Sequence, residues 1–502
     1  MKKSVGILSG LAIAIAVATT AGAWYTGKQL PGELERSVAR GNEELKKALV
    51  GTGGSMTIEL VSLDQRLFTS TAQYRLKAKD IQVGESESLN FEVGVLDDIE
   101  HGPFPWSRVK AGKLMPVLAT SNSALQKDDF TAPWFAAAGD KAPVTGQVSL
   151  GYDGSVDSDI RLAPVTLKED NGNTLDFTGM QLLLSGDREG KAVKIHATAD
   201  KLVMNLVSDD QPPVKLDLGG FKMGGELAST GHDMVYVGHL DLYLGETQVT
   251  LGPKQEVLVL KGLEQNSLYS AEGENKLGGR LAYKVSDITY AGRAVGSGQM
   301  VLTMKSLNIP AMQSLIEWYQ TKLPQLQAAA AEGQEVPALD MTPQEQAKVQ
   351  ADLQQLLADK PQLAVEDLSF KTANGESRFT LAVDLANPAS FDLPPDQLGK
   401  QLVSKLQGKL SVSKAMVGDL ATLQALLDGQ TDAQAIAMQS GQAGEMLGMM
   451  ALQSGMATVQ GNDVVSSLHY ADGMVDFNGK KLTVEEFAVL LSMRLAALSP
   501  QG

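Results

Sequence analysis

Phe68-Thr-Ser-Thr-Ala-Gln-Tyr-Arg-Leu-Lys-Ala78 is the stretch that decides how the body of this chain is expected to fold. Its less polar residues stand at every second position, and they are Phe68, Ser70, Ala72, Tyr74, Leu76 and Ala78. A period of two places alternate side chains on opposite faces of a strand. The stretch therefore predicts a strand with one buried face and one solvated face, as in antiparallel sheets.

The same alternation recurs along the chain between residues 55 and 300. It is seen at Leu89, Phe91, Val93 and Val95, and again at Met234, Tyr236, Leu240, Leu242 and Leu244. Turn signals separate the strands: Asp153-Gly154, Asn171-Gly172, Glu189-Gly190 and Gly278-Gly279. We therefore predict that residues 55–300 form a β-rich region of extended antiparallel sheet.

Helices join the pattern in the last 200 residues. Thr342-Pro-Gln-Glu345 has the form of a capping box, with proline at the first helical position, and predicts a helix to about Ala358. Strands beginning at Gly298 and Gly408 are each followed by two helical segments and a hairpin. The prediction is an α+β fold dominated by antiparallel sheet, with a strand-helix-hairpin repeat in residues 301–502.

The N-terminus carries an uncharged run from Val5 to Tyr25, preceded by lysines at positions 2 and 3. A helix of this length spans roughly 30 Å, about the hydrocarbon thickness of a bilayer. Positive charge before the run keeps the N-terminus in the cytoplasm. Residues 1–27 are therefore predicted to form a transmembrane signal anchor, with the body in the periplasm of a bacterial inner membrane.

A cleaved signal peptide is the alternative, because Ala21-Gly-Ala23 is acceptable to a signal peptidase. Trp24 and Tyr25 favour the anchor, since aromatic residues sit at the outer end of spanning helices, and Lys28 follows at the water edge. Residues 28–54 are predicted to form a stalk helix against the body. Its apolar stripe is Leu34, Val38, Leu45 and Leu49, along which self-association is a second option.

The composition limits the classes of partner. The 502 residues carry a formal net charge of −16 and contain no cysteine. Nucleic acid and anionic lipid headgroups are therefore poor candidates for broad electrostatic partners, since both attract basic surfaces, and no nucleic-acid partner is expected. Disulfides, cysteine nucleophiles and thiolate metal sites are excluded.

The sequence resembles the YdgA-like family of bacterial envelope proteins. The residues that carry the resemblance are Trp24-Tyr-Thr-Gly-Lys28, His101-Gly-Pro-Phe-Pro105, Lys110-Ala-Gly112, Pro116 and Asn478-Gly479. The resemblance covers essentially the whole chain. It implies an inner-membrane anchor with a periplasmic body that is able to self-associate, and it assigns no catalytic residue.

His101, Phe104 and Trp106 form the first candidate site for a ligand or partner. Pro103 and Pro105 fix the backbone around them, giving a rigid loop at the end of a strand. The simpler interpretation is favoured: the aromatic residues cover the end of a sheet, and His101 is an ordinary hydrogen-bonded residue.

The second candidate is a methionine-rich helix that contains Met446, Met449 and Met450, with Met438 and Met456 nearby. Methionine suits adaptable apolar surfaces that meet acyl chains or partner helices. Small residues at Gly441, Gly444 and Gly448 permit close helix contact. A core helix packed on the sheet is the favoured interpretation.

The sequence has no HExxH, GxSxG or GxxxxGK[ST] motif, so neither a metal nor a cofactor is expected. His232 and His239 are predicted to lie in one strand and to point to opposite faces. The preferred function is a non-enzymatic envelope protein that acts through protein association. A hydrophobic groove that binds or transports lipid is the first alternative. A periplasmic hydrolase with a carboxylate-based site is the second.

Overall fold

The computed structural model describes residues 30–49, 54–82, 88–207, 212–233, 235–331 and 341–498. They divide into two compact units. Unit 1 comprises the described residues within Met1–Ser229, Leu251–Pro253 and Glu317–Asp340, and unit 2 comprises those within Thr230–Thr250, Lys254–Ile316 and Met341–Gly502. The predicted anchor at residues 5–25 lies outside the described ranges. Within those ranges, no helix has both the length and the apolar character needed to cross a membrane.

The helices are numbered in chain order. They are α1 (Leu30–Ala48), α2 (Trp106–Lys110), α3 (Ala132–Ala137), α4 (Ile309–Ala331), α5 (Pro343–Ala358), α6 (Pro395–Leu402), α7 (Lys414–Leu427), α8 (Ala433–Ser454) and α9 (Val484–Leu498). The last six of these helices lie beyond residue 308, as the sequence predicts. The predicted capping box is present at the start of α5, where Thr342 Oγ1 accepts from Glu345 N and Glu345 Oε2 accepts from Thr342 N.

Unit 1 is built on antiparallel strands. They are β1 (Ser55–Gln65), β2 (Thr69–Gln82), β3 (Ser88–His101), β4 (Ala119–Leu125), β5 (Val144–Leu150), β6 (Ser155–Leu162), β7 (Val165–Lys168), β8 (Thr174–Phe177), β9 (Met180–Asp187), β10 (Ala192–Leu206) and β11 (Val214–Ser229). β1 to β6 pair in chain order, and β6, β9, β10 and β11 continue the sheet. The β7–β8 hairpin pairs through β8 with the second half of β10.

The core of unit 1 confirms most of the alternation in the opening stretch. Ser70, Ala72, Tyr74, Leu76 and Ala78 are all buried on one face of β2. Phe68 was wrongly assigned to this face: it is 73% exposed, because it lies in the turn before β2 begins at Thr69. Strand β3 presents its own buried residues Phe91, Val93 and Val95 to the same core.

Helix α1 covers one part of this core. Leu34 and Leu45 are buried in it and Val38 packs against it, so the predicted stripe does face the body. Asn42 fixes the helix to β1: its Nδ2 donates to Ile58 O at 2.9 Å, and its Oδ1 accepts from Ile58 N at 2.7 Å. The backbone groups of β1 at Ile58 are thereby paired on the side away from β2.

Unit 2 is also built on strands. The strands after β11 are β12 (Tyr236–Leu251), β13 (Glu256–Ala271), β14 (Lys276–Tyr290), β15 (Arg293–Asn308), β16 (Gln362–Lys371), β17 (Glu376–Leu385), β18 (Val403–Ser413), β19 (Thr458–Gln460), β20 (Asp463–Ala471), β21 (Met474–Phe477) and β22 (Lys480–Thr483). β13 to β18 pair antiparallel in chain order, and β18 then pairs with β20. β20 carries β19 and β21 on its other side, and β21 pairs with β22.

The alternation of apolar and polar residues does not lead to full burial in unit 2. Its apolar residues do share a face, but most side chains of β13 to β18 are only half-buried. The expectation of one buried face, made for residues 55–300, is therefore met only in part by β13 to β15. The periodicity selects the apolar face correctly, whereas its burial depends on which other elements cover it.

Candidate functional site

A cavity of about 560 Å³ lies on the apolar face of the unit 2 sheet. Six neighbouring strands, β13 to β18, contribute to it. The side chains on this face are those of Leu263, Tyr283, Val285, Met300, Leu368, Phe370, Ser377, Phe379 and Leu410, with Gly298 among them. We call this surface the apolar groove.

Strand register explains why these residues meet. Tyr283 is opposite Met300, Met300 is opposite Leu368, Leu368 is opposite Phe379, and Phe379 is opposite Leu410. Directly opposed residues of antiparallel strands point to the same face. The five side chains therefore form one continuous row from β14 to β18.

The row stays open to solvent. Tyr283 is 37% exposed, Leu368 45% and Leu410 41%, although all three lie within strands of a continuous sheet. Isolated exposed apolar residues are ordinary on a protein surface, but a contiguous apolar surface indicates a binding site. A concave apolar cavity of this volume falls in the range of small-molecule sites, which is roughly 300–1,000 Å³.

Gly298 and Gly408 have no side chain and therefore leave free space above the face of the sheet. Gly298 lies between Val285 and Phe370 in the register, and an added Cβ there would have its nearest neighbours 3.7 Å away. Gly408, opposite Leu381, has similar free space, with its nearest neighbour also at 3.7 Å. Neither residue has a positive φ, so the backbone does not require glycine at these positions. Glycine inside a strand often marks the close approach of a ligand.

Charge is confined to the opposite face of the same strands. Gln299 Nε2 donates to Asp367 Oδ2 at 2.8 Å, and Arg378 Nε lies 3.0 Å from Asp367 Oδ1. On the face that carries the row, Tyr283 and Ser377 contribute hydroxyl groups and the other side chains are apolar. Five polar residues also border the cavity, from the alternate strand positions whose side chains point to the opposite face: Glu264, Lys284, Gln299, Ser369 and Arg378. The groove therefore offers dispersion contacts and removal of apolar surface from water, with very little capacity to hold a charged group.

The dimensions of the groove suit an extended hydrocarbon chain. Six strands spaced about 4.8 Å apart span roughly 24 Å across the sheet. One leaflet of a bilayer accounts for half of a hydrocarbon core about 30 Å thick, so one lipid acyl chain is shorter than this span. An acyl chain lying across the strands would contact most of the row from Tyr283 to Leu410.

Sequence reasoning did not identify these residues as a site. The sequence pattern places Leu368, Phe370 and Phe379 in the hairpin that follows the strand beginning at Gly298, and it indicates no site there. The available signal was the combination of aromatic residues at alternate positions with mid-strand glycines at 298 and 408. Neither feature by itself indicates which residues of distant strands become neighbours.

The first predicted site lies at one end of the unit 1 sheet. His101 ends β3, and its Nε2 is 2.9 Å from Ser70 Oγ. Partial burial lowers the pKa of His101, which favours the neutral ring. Phe104 and Trp106 are both exposed, and Lys110 Nζ lies 5.4 Å from the centre of the Trp106 ring. The histidine thus faces a serine, while the aromatic residues face solvent.

The second predicted site lies on α8. Met446, Met449 and Met450 are each more than half exposed, so the favoured interpretation of a core helix is wrong for these three residues. Two of the three glycines make the predicted close contact: Gly444 and Gly448 are buried and face Lys414 at the start of α7, whereas a Cβ at Gly441 would meet no atom within 4 Å. The methionines are in unit 2, but none of them lines the apolar groove.

A polar cavity of about 400 Å³ lies on the unit 1 sheet, next to α2. Arg108 is buried beside it; its Nη1 donates to Ser149 Oγ at 2.9 Å, and its Nε has no hydrogen-bond partner. Asp159 also lines the cavity and forms an ion pair with Arg161 at 2.7 Å. Partial burial acts to raise the pKa of Asp159, but hydrogen bonds from Arg161 and Gln181 outweigh burial and lower it.

Asp97 is the carboxyl group of unit 1 with a strongly raised pKa. Burial raises the pKa of Asp97 to about 7, although a hydrogen bond from Ser121 Oγ at 2.6 Å opposes the change. Asp97 belongs to the core face of β3, whereas the opposite face of this sheet carries the polar cavity with Asp159. The two carboxyl groups therefore do not form an acid–base pair on one surface.

The histidines do not converge on a metal site in the described part of the chain. No group of three or more His, Asp or Glu residues there is arranged to hold a metal ion. The expectation that His232 lies in a strand with His239 is wrong, because β12 begins at Tyr236 and His232 belongs to the preceding turn. His232 Nε2 is 3.0 Å from Glu274 O, so this ring nitrogen has a hydrogen-bond partner in the backbone.

Comparison with known proteins identifies relatives along the whole chain. Protein YdgA of Escherichia coli strain K12 is 28% identical over 508 residues, which cover 98% of this chain and 97% of YdgA. The uncharacterized protein YihF of the same strain is 23% identical over 499 residues, covering 95% of this chain and 97% of YihF. An uncharacterized protein of Haemophilus influenzae is 22% identical over 187 residues, or 37% of this chain and 49% of that protein.

No solved structure gives a significant match to this chain. The family described as "Bacterial protein of unknown function (DUF945)" matches residues 1–485. This match and the similarity to YdgA confirm the resemblance carried by the motifs around Trp24 and His101. The chain belongs to the DUF945 family of bacterial proteins of unknown function.

Proposed function

We propose that this protein binds the acyl chain of a lipid in the apolar groove of unit 2, as a non-enzymatic protein of the bacterial envelope. The observation that carries the proposal is the exposed apolar row from Tyr283 to Leu410. The location is part of the proposal: residues 5–25 anchor the chain in the inner membrane and the body lies in the periplasm. The hydrophobic run and the lysines at positions 2 and 3 support it.

The geometry favours lipid over the protein association preferred from sequence. A groove with a floor lowered by glycine suits a thin, flexible chain, whereas a protein interface has a polar rim and a larger contact area. The exposed methionines of α8 are the described surface that best fits the protein association preferred from the sequence. Nothing in the structure indicates what covers them, so they carry no functional assignment.

Adjacent residues of β14 provide a matched test. Tyr283 and Lys284 both border the cavity, but they are consecutive residues of one strand, so their side chains point to opposite faces and only that of Tyr283 belongs to the apolar row. A photoreactive benzoylphenylalanine is placed at position 283 or at position 284 of the full-length protein in living cells. After irradiation, the purified protein is examined by intact-mass spectrometry.

We expect lipid adducts with the probe at 283 and none with the probe at 284. Equal adduct yields at the two positions would show nonspecific contact with membrane lipid. Protein adducts without lipid at 283 would assign the groove to a protein partner. Either outcome rejects acyl-chain binding.

A further inference from the structure

Six large apolar side chains are exposed at one end of the unit 1 sheet. They come from the β1–β2 turn, from the loop that leads into α2, and from the segment between α2 and β4. They are Leu67 (82% exposed), Phe68 (73%), Phe104 (60%), Trp106 (62%), Leu114 (65%) and Met115 (76%). We call them the tip cluster.

Hydrogen bonds hold these segments in place. His101 N donates to Phe68 O at 2.9 Å, which joins the β1–β2 turn to the end of β3. Val117 N donates to Pro103 O at 3.0 Å. The Glu100 carboxylate accepts from Ser107 N at 2.9 Å and from Ser107 Oγ at 2.6 Å. The exposed side chains are thus presented by a hydrogen-bonded framework.

The chain enters unit 1 at this same end. Helix α1 runs antiparallel to β1, because Asn42 bonds to Ile58 and only a short connection separates Ala48 from Ser55. The helix rises 1.5 Å per residue, so Leu30 lies about 18 Å from Asn42 along α1. At 3.3 Å per residue, that distance along β1 from Ile58 reaches about Leu63, close to the β1–β2 turn.

Little chain separates this end from the proposed anchor. Leu30 is buried in the core of unit 1, and the uncharged run ends at Tyr25. Five residues span at most about 18 Å when fully extended. With residues 5–25 in a bilayer, the end of unit 1 that carries the tip cluster is therefore held at the membrane surface.

We infer that the tip cluster inserts into the interfacial layer of the membrane that holds the anchor. Tryptophan and other aromatic residues are enriched at this depth of a bilayer. Lys110 is exposed beside the cluster, where it is available to lipid phosphates. The nearby carboxylates are engaged within the protein, since Asp64 pairs with Arg66 at 2.9 Å and Glu100 binds Ser107. This docking does not depend on the apolar groove.

The absence of cysteine allows a direct test. Single cysteines replace Phe68, Trp106 or Leu114 in the full-length protein, and each is labelled with the environment-sensitive fluorophore NBD. Exposed Asp129 and Lys141, beyond the opposite end of β4 and before β5, supply matched control sites. The labelled proteins are reconstituted into vesicles with and without lipids that carry nitroxide quenchers.

Labels at 68, 106 and 114 are expected to shift to shorter emission wavelength and to be quenched by nitroxides about 5–10 Å below the headgroups. Labels at 129 and 141 are expected to do neither. The double substitution F104S/W106S, at two exposed positions, is expected to reduce quenching at 68. Quenching at the tip no greater than at the controls would overturn the inference. A wavelength shift without nitroxide quenching would also overturn it, because a protein would then cover the cluster.

Discussion

Asn42 on α1 supplies both a donor and an acceptor to the backbone of Ile58 on β1, at 2.9 and 2.7 Å. The pair completes the hydrogen bonding of β1 at Ile58 and sets the direction in which α1 crosses the strand. This contact and the short connection from Ala48 to Ser55 together place the start of α1 at the end of unit 1 that holds the β1–β2 turn.

Replacing Asn42 by Ala is expected to lower the free energy of unfolding of unit 1 by about 1–3 kcal/mol, because two backbone groups lose their partner. Amide hydrogen exchange at Ile58 is expected to accelerate in the same variant. The exposed neighbour Glu43 provides the control, since Glu43→Ala is expected to change stability by less than about 0.5 kcal/mol. Unchanged exchange at Ile58 would contradict the assigned role of Asn42.

The burial of Asp97 predicts a pH dependence of stability. Burial raises its pKa from 3.8 to about 7, and the neighbouring Asp98 acts in the same direction. Between these values the folded state binds the proton and the unfolded state releases it, so stability falls as pH rises from about 4 to 7. The loss amounts to at most about 4 kcal/mol.

Asp97→Asn removes this titration and keeps an acceptor for Ser121. The variant is expected to lose the part of the pH dependence due to Asp97 and to be more stable than the parent protein above pH 7. Urea unfolding of both proteins at a series of pH values measures the difference. Asp98→Asn, at the exposed neighbouring position, should retain most of the pH dependence and shift it slightly to lower pH, because the Asp98 charge contributes to raising the pKa of Asp97. Parallel profiles for Asp97→Asn and the parent would show that Asp97 does not titrate in this range.

Filling the floor of the apolar groove should prevent lipid binding. Gly298→Leu places a side chain between Val285 and Phe370, where a Cβ meets nothing closer than 3.7 Å. Gly224→Leu is the matched control, because Gly224 is in a strand of unit 1 and its Cβ would meet nothing within 4 Å. Binding of a fluorescent fatty acid is expected to fall at least about tenfold, a loss of about 1.4 kcal/mol, for Gly298→Leu alone. Equal affinities for both variants would exclude the groove as the site.

Contact between α7 and α8 depends on the small size of Gly444. An added Cβ would lie 2.7 Å from the backbone oxygen of Lys414, so Gly444→Ala is expected to cost about 1–3 kcal/mol by overpacking. Gly441 belongs to the same helix and has no atom within 4 Å of its Cβ position. Gly441→Ala should therefore stabilise α8 by about 0.5–1 kcal/mol. Thermal unfolding measures both effects, and a destabilised Gly441→Ala would contradict the packing described.

The sequence predicts those helices and strands whose structure depends on interactions between residues close together in the chain. The alternation from Ser70 to Ala78 produces one face of β2, and the stripe of Leu34 and Leu45 directs α1 to the core. Thr342 and Glu345 cap α5 because their side chains reach backbone groups only three residues away. Phe68 does not follow the same rule because β2 begins at Thr69, one residue later than the pattern predicts, and Phe68 lies in the turn before it.

The candidate site was harder to predict because its members are far apart in the chain. Tyr283 and Leu410 enter one row through four successive strand pairings, and each register is set by contacts along both strands. His101, Phe104 and Trp106 were recognised from a local motif. Their position beside Leu67 and Phe68, at the end where the chain enters unit 1, required the antiparallel path of α1 and β1.

By itself the sequence determined the antiparallel α+β character, the helix boundaries near Thr342 and the family. These follow from periodicity, capping chemistry and motifs that act over a few residues. Only the tertiary structure decided which apolar faces are covered, that Asp97 is buried, and that the row from Tyr283 to Leu410 stays open. Burial depends on what packs above a residue, and an alternating pattern gives the direction of a side chain without specifying what lies there.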